Sequence, residues 1–118
     1  MQLGETFVMG EDGHLWVIIS DPTMHNNESI MVNITSNVFR AGRECELNPG
    51  DHPFVTGKSY ISFGDARKIT PDAETKMKKC IASGLIRPHA PMKKATLDRI
   101  VAAAKLSKAL RKGYRAYL

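Results

Sequence analysis

Residues Thr6 to Ser20 read TFVMGEDGHLWVIIS, two apolar segments joined by Gly10-Glu11-Asp12-Gly13. The joint has glycine at both ends and an Asp-Gly inside it, the strongest short-range signal for a β-hairpin. HLWVIIS is β-branched, aromatic and apolar without interruption, the pattern of a strand buried on both faces. Working outward, a polar loop (Asp21–Glu28) precedes a third apolar run, SIMVNITS (Ser29–Ser36). RECEL (Arg43–Leu47) alternates and fits a half-exposed or edge strand. KSYISF (Lys58–Phe63) follows the turn-rich stretch NPGDHPFVTGKSY (Asn48–Tyr60). Five short strands with no helix-length segment between them favour a small barrel or sandwich over a βαβ fold.

The periodicity changes after residue 69. TPDAETKMKKCIASG carries a helix start: Thr70 suits the N-cap, Pro71 the first helical position, and Asp72 and Glu74 the positive end of the dipole. Gly84 suits the C-terminal end, and LIRPHAP (Leu85–Pro91) reads as a connector. A second helical segment is expected from about Thr96 to Tyr117. At about 100° per residue its apolar positions split into two stripes. Leu97, Ile100, Val101 and Ala104 form one; Leu106, Leu110, Tyr114 and Tyr117 form the other, more than a third of a turn away. Such a helix either kinks near Ala104 or packs its last turns on another element or a second subunit. The expected class is therefore α+β: a small β-barrel over residues 1–69, and a basic helical extension, 70–118, packing on it within one structural domain.

With 118 residues the chain supports one core, and 25% charged and 42% hydrophobic residues are ordinary for a globular protein. No apolar run approaches the roughly 20 residues that span a bilayer, and the first residues lack a signal-peptide pattern, so no membrane partner and a cytoplasmic location are expected. Cys45 and Cys80 form no CxxC pattern, and no two of the four histidines are spaced i, i+4. Reduced thiols, no metal site and no cofactor are expected. The net charge of +5 is unevenly spread: residues 1–70 hold five Lys/Arg against nine Asp/Glu, and residues 71–118 hold twelve against three. A basic tail on an acidic first part either docks on its own domain or contacts an anionic polymer. Its basic stripe includes Lys108, Arg111 and Lys112.

HLWVIISDP, VNITS and GDHPF followed by SY resemble the PemK/MazF-type family of small SH3-like barrels, in an uncharacterised PemK-like branch. The resemblance runs from about Gly4 to Ala66. It implies a toxin–antitoxin endoribonuclease: a dimeric barrel that binds single-stranded RNA and cleaves it by attack of the 2′-hydroxyl, with no metal and an antitoxin-like protein as partner. That chemistry needs a base, an acid and donors for the phosphorane charge. The matching strand end offers Thr35 and Ser36. The family's Arg-Pro at the start of the second strand is replaced by His14-Leu15-Trp16, where His14 can stand in as acid or base. His52 is a further acid/base candidate, although Pro49-Gly50-Asp51 is itself a turn sequence and Pro53 restricts His52 to extended backbone. Arg40, Arg43, Lys58 and Arg67 are candidate RNA contacts; Trp16 and Tyr60 read as core. Two readings stay open: an endoribonuclease, or a non-catalytic module on the same barrel that binds nucleic acid or protein.

Overall fold

A computed structural model describes residues 1–118. The fold is α+β: a curled six-stranded antiparallel sheet forming a half-barrel, with helices on both faces. The strands are β1 (Thr6–Met9), β2 (His14–Ile18), β3 (Ser29–Thr35), β4 (Glu46–Leu47), β5 (Ser59–Ile69) and β6 (Arg87–His89). Their order across the sheet is β4-β5-β3-β2-β1-β6. The helices are α1 (Val38–Ala41), α2 (Pro71–Ser83) and α3 (Lys94–Leu106).

The β1–β2 hairpin closes as its turn residues require. Gly10 and Gly13 take φ of 88° and 63°, which side-chain-bearing residues adopt at a cost. The register then pairs Phe7 with Trp16 and Leu15 with Ile34. Alternation divides the apolar run between two cores. Leu15, Val17, Ile19, Ile30, Val32, Ile34, Ile61 and Phe63 face inward and pack with Leu97, Ile100 and Ala104 of α3. Phe7, Trp16, Ile18, Met31 and Ile69 face outward against Met77 of α2 and Ile86. The continuous run of β2 is thus a strand covered on both sides.

β5 is longer than its apolar segment. Met31 pairs with Arg67 but Asn33 pairs with Ser62, so residues Phe63 to Ala66 bulge out of the ladder. A bulge bends the sheet and re-aims side chains; here it thrusts Asp65 toward Arg40 and continues the strand to Ile69. α2 begins where the sequence indicates, with the Thr70 hydroxyl accepting from Ala73 N at 3.1 Å and Pro71 at the first position. It ends at Gly84, whose φ of 84° is left-handed.

Two expectations are corrected. The connector Leu85–Pro91 contains β6, a three-residue edge strand hydrogen-bonded to β1. The single helix expected from Thr96 to Tyr117 starts earlier and breaks after Leu106, resuming as 3-10 turns over Lys112–Tyr117. The break is held by side chains. Ser107 Oγ donates to Glu44 Oε1 (2.6 Å) and accepts from Leu110 N (3.0 Å), while Glu44 Oε2 accepts from Lys108 N (2.8 Å). The chain turns there, and Leu110, Tyr114 and Tyr117 reach the same core as Leu97 and Ile100. The second stripe, apart from Leu106, which is 83% exposed, therefore serves the same interior as the first, and residues from 1–69 and 70–118 share it.

Candidate functional site

β2 begins, β3 ends and β5 begins at the same end of the sheet's strands. Because these strands are antiparallel neighbours, the pairing Leu15↔Ile34 brings His14 beside Thr35, and Thr35↔Tyr60 brings Lys58 and Ser59 alongside. The result is a cleft of about 350 Å³ lined by His14, Thr35, Ser36, Lys58, Asp12 and Thr56, among others. Four of the residues expected from sequence, His14, Thr35, Ser36 and Lys58, meet there.

His14 is oriented from one side. Its Nδ1 lies 3.2 Å from Ile34 O, an atom that only accepts, so the neutral ring carries its proton on Nδ1 and keeps the lone pair on Nε2. Nε2 sits 3.7 Å from Asp12 Oδ2, beyond hydrogen-bond distance. The Thr35 hydroxyl accepts from Asn37 N at 3.1 Å, leaving its own proton to donate. Ser36 is exposed at the strand end. Lys58 Nζ is 3.8 Å from Glu46 Oε1, an exposed pair that binds its ammonium weakly. Asp12, two residues before His14 in the hairpin turn, was not singled out in the sequence; its position in that turn was the available signal.

His52 does not join this group. Its ring is 3% exposed and both nitrogens are engaged: Nδ1 accepts from Phe54 N (3.0 Å) and Nε2–H donates to Ala90 O (2.5 Å), which also accepts from Thr6 Oγ1. The ring stacks at a tilt on His89 with centroids 5.1 Å apart. Burial pushes its pKa below the ordinary imidazole value; the Ala90 carbonyl opposes this and neighbouring His89 adds to it. The rest of the loop is bolted to the same region. Asp51 Oδ2 accepts from Asn48 N, Asp51 Oδ1 pairs with Arg99 at 2.9 Å, and Lys93 Nζ donates to Gly50 O at 2.7 Å. Burial raises the Asp51 carboxyl, but the Asn48 N–H and the Arg99 guanidinium outweigh it and hold it below the usual carboxylate range. The loop therefore fastens the sheet to the start of α3.

The expected nucleic-acid contacts divide. Arg67, Lys68 and Arg111 border a polar trough of about 520 Å³ at the far end of β5 from Lys58. The Arg67 guanidinium lies 5.2 Å over the Trp16 ring, and that of Arg111 lies 5.2 Å over Tyr114. Arg40 adjoins through Asp65, to which it donates at 3.0 Å. The Ser62 hydroxyl, at 2.6 Å, is the main influence holding Asp65 below its ordinary pKa; burial opposes it and Arg40 supports it. Arg43, Lys108 and Lys112 are exposed and line neither the cleft nor the trough. No group of three His, Cys, Asp or Glu is placed to hold a metal ion, and no helix is long and apolar enough to cross a membrane. No protein-family model matches this chain, and no curated protein matches its sequence.

Proposed function

We propose that this protein is a PemK/MazF-like endoribonuclease that cleaves single-stranded RNA at the His14 cleft without a metal ion. The curled sheet is read as the SH3-like barrel of that family, working in the bacterial cytoplasm as a homodimer with an antitoxin-like partner. One observation carries the reading: His14, Thr35, Ser36 and Lys58 line a single cleft, and His14 is held with its Nε2 lone pair free. His14 Nε2 takes the proton from a ribose 2′-hydroxyl. The 2′-oxygen attacks phosphorus, and the bond to the 5′-oxygen breaks, leaving a 2′,3′-cyclic phosphate. The imidazolium returns its proton to the leaving oxygen. Thr35 and Ser36 hydroxyls and the Lys58 ammonium offset the charge on the phosphorane oxygens. The test is to incubate a long RNA in EDTA with wild type, His14→Ala and Lys58→Ala. Cleavage by wild type that falls 100-fold or more in His14→Ala supports the reading; equal cleavage by both defeats it.

A second reading is a module that binds nucleic acid without cutting it. It is favoured by the cationic trough, which lies roughly 20 Å along β5 from the cleft. Here affinity falls steeply with salt and weakens in Arg67→Glu or Arg111→Glu, while no cleavage accompanies it.

A further inference from the structure

Phe39, on α1, is 98% exposed, more open than any other aromatic side chain; Phe54 follows at 37%. The backbone beneath the ring is braced. Asn37 Oδ1 accepts from Phe39 N (3.0 Å) and Arg40 N (3.2 Å), and the Thr35 hydroxyl accepts from Asn37 N. Arg40 donates to Asp65, whose carboxylate also accepts from Ser62 Oγ. These bonds tie α1 to the end of β3 and to the bulge of β5. The alternation of the strands then places the ring relative to the cleft and the trough. Trp16 and Met31 belong to the outer core, so His14, two residues before Trp16, and Thr35, four residues after Met31, share that outer face. Arg67 pairs with Met31 and lies over Trp16, on the same face. From Thr35 to Met31 is ~14 Å along β3. Ser62, opposite Asn33, lies between those two positions and anchors the Asp65–Arg40 bond. The α1 ring therefore stands beside the line from the cleft to the trough, three residues from Ser36 and within about 11 Å of it.

We propose that Phe39 stacks one base of an RNA strand that runs from the His14 cleft to the trough of Arg67, Lys68 and Arg111; this rests on the RNA reading above. A cationic track that follows the phosphates, with an open aromatic ring beside it, is the combination by which proteins hold a single strand. The ring's neighbours in sequence favour a polyanion over a second copy of the chain. Ser36, Asn37, Arg40 and Arg43 are all exposed around it, whereas the centre of a protein–protein interface is depleted of charge. Every base has a π-face, so a stack on Phe39 adds affinity without selecting sequence.

The experiment titrates the full-length His14→Ala protein, chosen to keep RNA intact, with a fluorescein-labelled single-stranded RNA decamer and with an abasic decamer of equal charge. Fluorescence anisotropy measures binding, and circular dichroism checks that each variant is folded. Adding Phe39→Ala, at a position open to solvent, is expected to weaken the decamer about tenfold, as the loss of one base stack does, and to leave the abasic strand unchanged. Phe39→Leu keeps apolar bulk without a π-face and is expected to weaken binding as alanine does. Phe39→Trp is expected to keep the parent's affinity, with an added tryptophan emission that the decamer quenches and the abasic strand does not. A Phe39→Ala variant that binds the decamer as tightly as the parent, or that loses affinity equally for both strands, overturns the stack and leaves the RNA reading standing. So does a Phe39→Ala variant that sediments as a monomer where the parent is a dimer, which assigns the ring to a second copy. No binding of either strand by the parent overturns both.

Discussion

Replacing His52 with alanine separates a structural role from a chemical one. The substitution removes the bond from Nε2 to Ala90 O and takes away the acceptor of Phe54 N. Each bond contributes about 1 kcal/mol. The Ala90 carbonyl keeps its bond from Thr6, so only Phe54 N loses its partner. Emptying the space of a ring that is 3% exposed adds about 1–2 kcal/mol. The sum is about 3–4 kcal/mol, which in a domain of this size lowers Tm by roughly 12–15 °C. Thermal unfolding followed by circular dichroism measures this, and RNA cleavage is assayed well below the lowered Tm. The expected result is a large drop in Tm with cleavage per folded molecule retained. A Tm within about 3 °C of wild type together with lost cleavage would refute the latch and give His52 a chemical role. The pH dependence offers an independent check. Burial lowers the folded pKa of His52 below its ordinary value of about 6.5. The unfolded chain therefore takes up a proton that the folded chain refuses. The His52 contribution is full above about pH 6.5 and is lost as pH falls through the folded pKa, a dependence that His52→Gln removes.

The break after α3 gives further expectations. Burial raises the Glu44 carboxyl, but the bonds from Ser107 and from Lys108 N outweigh it, leaving the pKa below the ordinary glutamate value of about 4.5. Its stabilisation is present at neutral pH and lost as pH falls through the folded pKa. Glu44→Gln should melt roughly 3–5 °C below wild type at pH 7, with the gap closing as pH falls below the ordinary glutamate range; a gap that is constant with pH contradicts the assignment. Leu110→Ala should cost about 2–4 kcal/mol in urea unfolding, because Leu110 is 3% exposed in the shared core; a negligible cost means the tail does not dock as described. Gly84→Ala should cost about 1 kcal/mol, set by the left-handed φ at the end of α2.

Much of the sheet was legible because its signals are local. The Asp-Gly turn and the apolar run of β2 identify a hairpin and a two-sided strand without reference to anything distant. Thr70-Pro71 and Gly84 mark α2 for the same reason. β6 was not legible: three exposed residues containing Pro88 have no alternation, and only the free edge of β1 makes them a strand. The bulge at Phe63–Ala66 likewise exists only relative to β3. The end of α3 is set by Glu44, sixty-three residues from Ser107 in sequence. Even so, the split of apolar residues into two stripes foretold that one straight helix was inadequate. In the candidate site, His14 and Thr35 meet because antiparallel neighbours place a strand start beside a strand end, which a strand assignment alone anticipates. His52 was ambiguous because its partners, Ala90 and His89, belong to a segment whose approach depends on α2 and β6.

The account depends most directly on whether a 2′-hydroxyl is the nucleophile. Once a cleavage site has been mapped in EDTA, the same RNA is prepared with a single 2′-deoxynucleotide immediately 5′ of the scissile phosphate. The account expects wild type to leave a 2′,3′-cyclic phosphate on the all-ribose strand and to leave the deoxy-substituted strand uncut at that position. Cleavage of the deoxy strand at the same bond, or no cleavage of any RNA by the folded protein, would contradict it.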